Sequence, residues 1–186
     1  MPSGGFLALK EIETDLGIGE IMIILGIDPG YAIVGWGVVE YKGTKFKTLG
    51  YGSIQTPAGM PMIERLERIH LGMNEIIDKY KPDEMAVEEL FFNTNSKTAI
   101  VVAEARGIIL LSARLKGVEI SEYTPLQVKQ AVVGYGRAEK KQVISMVTSL
   151  LALPAPPKPD DTADALAIAI CHGHSGGSRL ARYFNQ

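Results

Sequence analysis

The stretch Ile21–Met22–Ile23–Ile24–Leu25–Gly26–Ile27 has no polar interruption and closes on Asp28. A strand with one wet face alternates, so a continuous apolar run reads as a central strand buried on both faces. The rest of the chain must then cover two sides of a sheet. The acid at the end of the run is the anomaly, because a buried carboxylate is strongly destabilising unless a cation or hydrogen-bond donors compensate it. Glu88 ends a second run, Met85–Ala86–Val87, and Asp161 and Asp164 open the alanine-rich stretch Ala165–Leu166–Ala167–Ile168–Ala169–Ile170. Four acids so placed imply a hard divalent metal, and a metal held by carboxylates alone usually acts on phosphate esters.

Strand and helix periodicities order the remainder. Ile33–Tyr41 and Phe46–Ile54 read as strands joined by the turn Lys42–Gly43–Thr44, so the chain opens as an antiparallel meander. Met62–Lys79 has helical spacing and is stopped by Lys81–Pro82. Glu84–Leu90 and Val118–Tyr123 read as strands on either side of a helix over Thr98–Lys116. Thr124–Pro125 caps a short helix to Val133, Gly134–Tyr135–Gly136 breaks the chain, and a helix follows over Ala138–Leu151. The segment 154–159 holds four prolines and serves as a rigid connector to a last helix over Asp161–His172. Three strands followed by alternating helices and strands predict an α/β domain, a mixed β-sheet of about five strands with helices on both faces.

At 186 residues the chain suffices for one well-buried domain. Residues 1–21 carry one lysine against four acids, a net of −3, which leaves +1 for the remainder of a chain whose total is −2. They are expected to be a leader or extension, disordered or loosely packed, with the domain over 22–174 and a flexible tail over 175–186. The single cysteine, Cys171, excludes an intrachain disulfide and fits a reducing cytoplasm. No apolar run is long enough to span a bilayer.

Each acid also has an ordinary explanation. Asp28 lies in Gly26–Ile27–Asp28–Pro29–Gly30, and Asp-Pro-Gly is a strong turn signal. Glu88 and Glu89 are adjacent and point to opposite faces of a strand, so only one faces a site. Asp161 as N-cap with Asp164 one turn on resembles a capping box, and Asp160 competes for either role. Together, however, acids at the ends of the first and fourth strands and at the start of the last helix make the layout of a ribonuclease H-like nuclease. In that layout carboxylates bind two Mg2+ ions about 4 Å apart, one activating water and one stabilising the leaving oxygen.

The motifs Gly26–Ile27–Asp28–Pro29–Gly30, Ala86–Val87–Glu88–Glu89–Leu90–Phe91–Phe92, Glu104–Ala105–Arg106–Gly107, Gln127–Val128–Lys129–Gln130–Ala131–Val132–Val133–Gly134, Ala138–Glu139–Lys140 and Asp161–Thr162–Ala163–Asp164–Ala165–Leu166–Ala167–Ile168–Ala169 resemble those of the RuvC family of Holliday junction resolvases. The resemblance covers about Met22 to His174. It implies that Asp28, Glu88, Asp161 and Asp164 are the catalytic, metal-binding acids, choosing Glu88 over Glu89 and Asp161 over Asp160. It also implies two Mg2+ ions per site, with Mn2+ as a substitute. The implied reaction is paired symmetric nicking of four-way DNA junctions in recombination and repair, leaving 5'-phosphate ends. Implied partners are junction-binding and branch-migration proteins of the RuvA and RuvB type.

Candidate DNA-binding groups flank these motifs. Of two adjacent aromatics, Phe91 and Phe92, one reads either as packing or as a ring that stacks on unpaired bases; the resemblance favours Phe91. Lys129, Arg137, Lys140 and Lys141 surround the Gly134–Tyr135–Gly136 break, and a phosphate-binding cleft needs such charges beside its acids. The resemblance points to Lys129 and Lys140. Arg106 reads as structural, paired with Glu104 or Glu122, and His172 with His174 makes a weak zinc motif, with His172 read as structural or peripheral. A junction has two-fold symmetry, so a homodimer fits, with Ile100, Val101, Ile108, Ile109 and Leu111 as interface or core. The alternatives are a nuclease for RNA/DNA hybrid or another branched substrate, and a non-catalytic junction binder. An ATP-binding domain of the actin and sugar-kinase type needs a longer chain.

Overall fold

The computed structural model describes residues 21–89 and 96–175. β1 (Ile21–Asp28) pairs antiparallel with β2 (Ile33–Lys42) and parallel with β4 (Glu84–Glu88). With β3 (Lys45–Gln55) and β5 (Glu119–Tyr123) the order is β3-β2-β1-β4-β5, so the uninterrupted apolar run is the middle strand of a five-stranded mixed sheet. Both of its faces are covered, which is why it does not alternate.

Among the described residues, five helices do the covering. On one face, Leu25 and Ile27 of β1 and Met85 and Val87 of β4 pack on α1 (Met62–Tyr80) and α2 (Ser96–Leu115) through Ile69, Met73, Ala105 and Ile109. On the other, Ile24, Val39 and Ala86 pack on α3 (Pro125–Val133), α4 (Lys140–Leu150) and α5 (Asp160–His174). Each fully buried Leu or Ile contributes about 1.5–3 kcal/mol. Among the described residues no helix is long and apolar enough to cross a membrane.

Several boundaries differ from the sequence expectation for local reasons. β1 starts at Ile21, where the apolar run starts, so Ile21 belongs to the sheet and not to the extension expected over 1–21. β4 ends at Glu88, not Leu90; the Glu89 N–H is still donated to the Tyr123 carbonyl at 2.8 Å. β5 starts at Glu119 because the Val118 N–H is taken by the Ala113 carbonyl, in a turn closed by Gly117 at φ +75°. α4 starts at Lys140, where Glu139 and Gln142 form a reciprocal capping box. The capping box expected at Thr124 is present, with Gln127 as its partner. The extension over residues 1–20, the tail over 176–186 and Phe91 lie outside the described residues.

Candidate active site

The parallel register Ile27↔Val87 brings Asp28 and Glu88 out of the sheet side by side. Parity then decides which glutamate faces which helix. Ala86 lies in the layer under α5 and Val87 in the layer under α1 and α2. Alternation therefore puts Glu88 under α5 and Glu89 on the other side. Asp28 shares the α5 face with Gly26, two residues before it.

α5 meets this face at very short range. A Cβ at Gly26 would stand 2.1 Å from the Ala165 carbonyl oxygen, so only glycine admits the helix there. Gly35 is paired with Asp28 across β1 and β2, and a Cβ on it would stand 2.0 Å from the Asp161 carbonyl oxygen. Asp161 thus rides directly over the residue beside Asp28. Gly35 was missed in the sequence reading, although a glycine inside a strand is the ordinary mark of a close approach.

The start of α5 differs from the expectation too. Its N-cap is Pro159, with no side-chain cap, and Asp160 and Asp161 both lie in the first turn. Asp161 is therefore not a capping residue. Asp160 is exposed, while Asp161 and Asp164 are half-buried.

The cluster shapes the ionisation of Asp28 and Glu88. Burial, followed by the charges of Glu88, Asp164 and Asp161, pushes the Asp28 carboxyl up to about 8, with Lys140 opposing. Glu88 is raised by burial and by Asp164, against Lys129 and Lys140. Lys140 donates to Asp164 Oδ2 at 2.8 Å and lies 3.9 Å from Asp160. Burial works against its ammonium, but the Asp164 hydrogen bond and the charges of Asp164, Asp160 and Asp161 outweigh that and raise it.

The donor set is made of hard carboxylate oxygens without thiolate or imidazole, which suits Mg2+ or Mn2+. Asp28 is held protonated into the neutral range by burial and then by three like charges, and a cation among them would relieve that repulsion. The donors therefore fit a hard divalent ion in type and charge. Among the described residues, however, no three His, Cys, Asp or Glu groups are drawn together closely enough to hold an ion. Asp164 is turned to Lys140 instead.

Other candidates divide. Lys129, half-buried on α3, and Lys140 on α4 both act on Glu88. Arg137 is exposed in the loop between α3 and α4. Lys141 lines a shallow groove along α4 with Ile144, Ser145 and Leu153. Arg106 pairs with Glu122, one of the two partners expected. His174 Nδ1 is 3.1 Å from the Ala131 carbonyl oxygen, and His172 is wholly buried away from the acids. Its Nδ1 is 2.8 Å from the Tyr123 hydroxyl, and its Nε2 is 3.0 Å from Glu84 Oε2, in ion-pair rather than linear hydrogen-bond geometry. Sequence reading missed Glu84, although an acid opening the apolar run Met85–Val87 on the parity of Glu88 was visible.

With this geometry in view, the family model described as crossover junction endodeoxyribonuclease RuvC matches residues 24–172. A crossover junction endodeoxyribonuclease RuvC from Alkaliphilus metalliredigens is 61% identical over 155 residues, covering 83% of this chain and 94% of that protein. Its counterpart from Clostridioides difficile is 60% identical over 154 residues, covering 83% and 91%. Among solved structures, Thermus thermophilus RuvC in complex with a Holliday junction substrate superposes with a TM-score of 0.80 at 40% identity, covering 86% of this chain and 96% of that one. The yeast mitochondrial Holliday junction resolvase shares the fold, with a TM-score of 0.62 at 13% identity, covering 95% and 90%.

Proposed function

This chain belongs to the RuvC family of crossover junction endodeoxyribonucleases, and from that premise we propose that it resolves four-way DNA junctions by paired symmetric nicks, using Mg2+ at Asp28, Glu88, Asp161 and Asp164. The chain is an endonuclease of a divalent-metal-dependent family. The observation that carries the proposal is that β1, β4 and α5 place Asp28, Glu88, Asp161 and Asp164 at one sheet edge, near enough for the other three, after burial, to raise Asp28, with Lys129 and Lys140 beside them.

Bound there, divalent ions would activate water for attack on the phosphodiester and stabilise the leaving oxygen. The protein's own contribution is positional. β1 and β4 fix Asp28 and Glu88 side by side, and the close seating of α5 on Gly26 and Gly35 lowers Asp161 and Asp164 onto them. Lys140 balances Asp164 and, with Lys129, offers charge to the DNA phosphates. Arg137 and Lys141 extend that basic rim, and Phe91 is assigned to stacking on an unpaired base.

A junction cut on two opposed strands calls for a symmetric homodimer. On α2, Ile109 is core, whereas Ile100, Leu111 and Leu115 are exposed and form the interface in this reading. Junction-binding and branch-migration proteins of the RuvA and RuvB type are its partners, and the cytoplasm its compartment. One cleavage panel tests the assignment: four-way junction, linear duplex and RNA/DNA hybrid, each with Mg2+ and with EDTA. Symmetric nicks confined to the junction and absent in EDTA are expected; cleavage of the hybrid alone would overturn it.

A further inference from the structure

The carboxylate site lies at one end of α5, and a second polar cluster lies near the other. His172 is 0% exposed, Tyr123 8% and Glu84 8%, so water does not compete for their contacts. The Tyr123 hydroxyl meets Nδ1 and Glu84 meets Nε2, with the two rings edge to face at a centroid distance of 5.7 Å. Burial, with Cys171 and Glu84 adding to it, pushes the Tyr123 phenol up to about 12, so it keeps its proton.

We propose that Tyr123, His172 and Glu84 are positioning residues that set the axial register of α5 over β4, and through it the place at which Asp161 and Asp164 meet Asp28 and Glu88. This inference rests on the reading of the four acids as metal ligands.

Two spans of equal length support it. Glu84 and Glu88 lie on one face of β4, four residues or about 13 Å apart. Asp164 and His172 lie eight residues apart on α5, about 12 Å. With His172 set on Glu84, Asp164 comes level with Glu88, whose carboxyl is raised by burial and then by the Asp164 charge. Tyr123 closes the frame from the neighbouring strand, because its Cα is paired with that of Glu88 while its hydroxyl reaches back to His172.

The seam between helix and sheet is close-packed, with Leu166 seated on Gly37 and Phe46 on Gly173, and the polar contacts at its two ends add direction to that packing. At Gly26 it consists of Ala165 and Ala169 on a bare backbone, which sets the distance of approach. A slip of one residue moves the helix about 1.5 Å and turns it about 100°. Near the site end, the Thr162 hydroxyl donates to the Gly52 carbonyl at 3.1 Å. The His172 cluster is the anchor at the far end. Displacing a ligand set by about 1 Å is enough to lower activity by about 10²-fold.

The test reads metal affinity without catalysis. Mn2+ is titrated into DNA-free protein, and the free ion is followed by electron paramagnetic resonance. Tyr123→Phe, which removes one hydroxyl, and Glu84→Leu are each expected to weaken Mn2+ binding by about 10-fold. Glu84→Gln keeps a polar contact to His172 and is expected to recover most of the affinity, and junction binding in EDTA stays at the parent level. If the variants melt at lower temperature but bind Mn2+ like the parent, the cluster is core packing only and the proposal is overturned. Should Glu84→Leu not fold, the comparison of Tyr123→Phe with Glu84→Gln decides. Failure of the underlying reading looks different: the parent would bind no Mn2+, or Asp28→Asn would bind it unchanged.

Discussion

Glu84 and Glu88 sit four residues apart on the same face of β4, under the same helix, and have opposite surroundings. Glu84 is the more deeply buried, yet it meets the imidazole of His172, and its neighbourhood is polar and paired. Glu88 is only half-buried, but it looks onto Asp28 and Asp164, and its carboxyl is pushed upward by burial and by that like charge. Depth of burial therefore does not mark the acid proposed to bind metal on this strand. What α5 brings to it does: an imidazole at one end, carboxylates at the other.

The sharpest way to break this contrast is to neutralise each glutamate in turn. Glu88→Gln and Asp28→Asn are each expected to lower junction cleavage by on the order of 10³-fold or more while junction binding persists. Glu84→Gln is expected to retain most of the activity; equal losses at both positions, measured in single-turnover cleavage, would erase the distinction. Next in size is Gly35→Ala, whose methyl must push Asp161 away from Asp28. A fall of about 10²-fold in cleavage, with a reduced Mn2+ affinity, is expected; parent-level cleavage would show that α5 has room to spare there.

A smaller effect lies in stability without metal. Asp28 in the folded chain is raised from an ordinary 3.8 to about 8, so the unfolded chain gives up this proton at lower pH than the folded one. Folding therefore has its full benefit from the protonated group below about pH 3.8, and loses it as pH climbs to about 8. In EDTA, Asp28→Asn is expected to melt above the parent by a margin that widens between pH 5 and pH 7.5, by about 5 °C. A constant margin in scanning calorimetry would mean that Asp28 titrates normally. The mildest expected change is at the rim. Lys129→Ala should weaken junction binding a few-fold and reduce the slope of log affinity against log salt by about 1, and an unchanged slope in a salt titration would place Lys129 off the DNA.

The β1 run was legible as a buried central strand because an unbroken apolar stretch leaves no wet face to choose. The helices were legible from spacing, with errors of a few residues wherever a cap or a turn took a backbone group: Glu139 with Gln142 at α4, Val118 with Ala113 at β5. Asp161 kept a cap reading open beside the metal reading because capping and site geometry use the same residue types at a helix start; Pro159 holds the cap position instead. The Glu84–His172–Tyr123 contacts were not legible, since His172 lies 88 positions from Glu84 (172 − 84) and 49 from Tyr123.

By itself the sequence determined the order of strands and helices and put an acid at the end of each apolar run, because those patterns depend on neighbours a few residues away. Only the tertiary structure decided that Glu88 rather than Glu89 lies under α5, that Asp161 seats over Gly35, and that Glu84 meets an imidazole. Strand alternation guarantees that adjacent residues face opposite ways, but which way is toward the site depends on the helix that packs there, and that helix arrives from the far end of the chain.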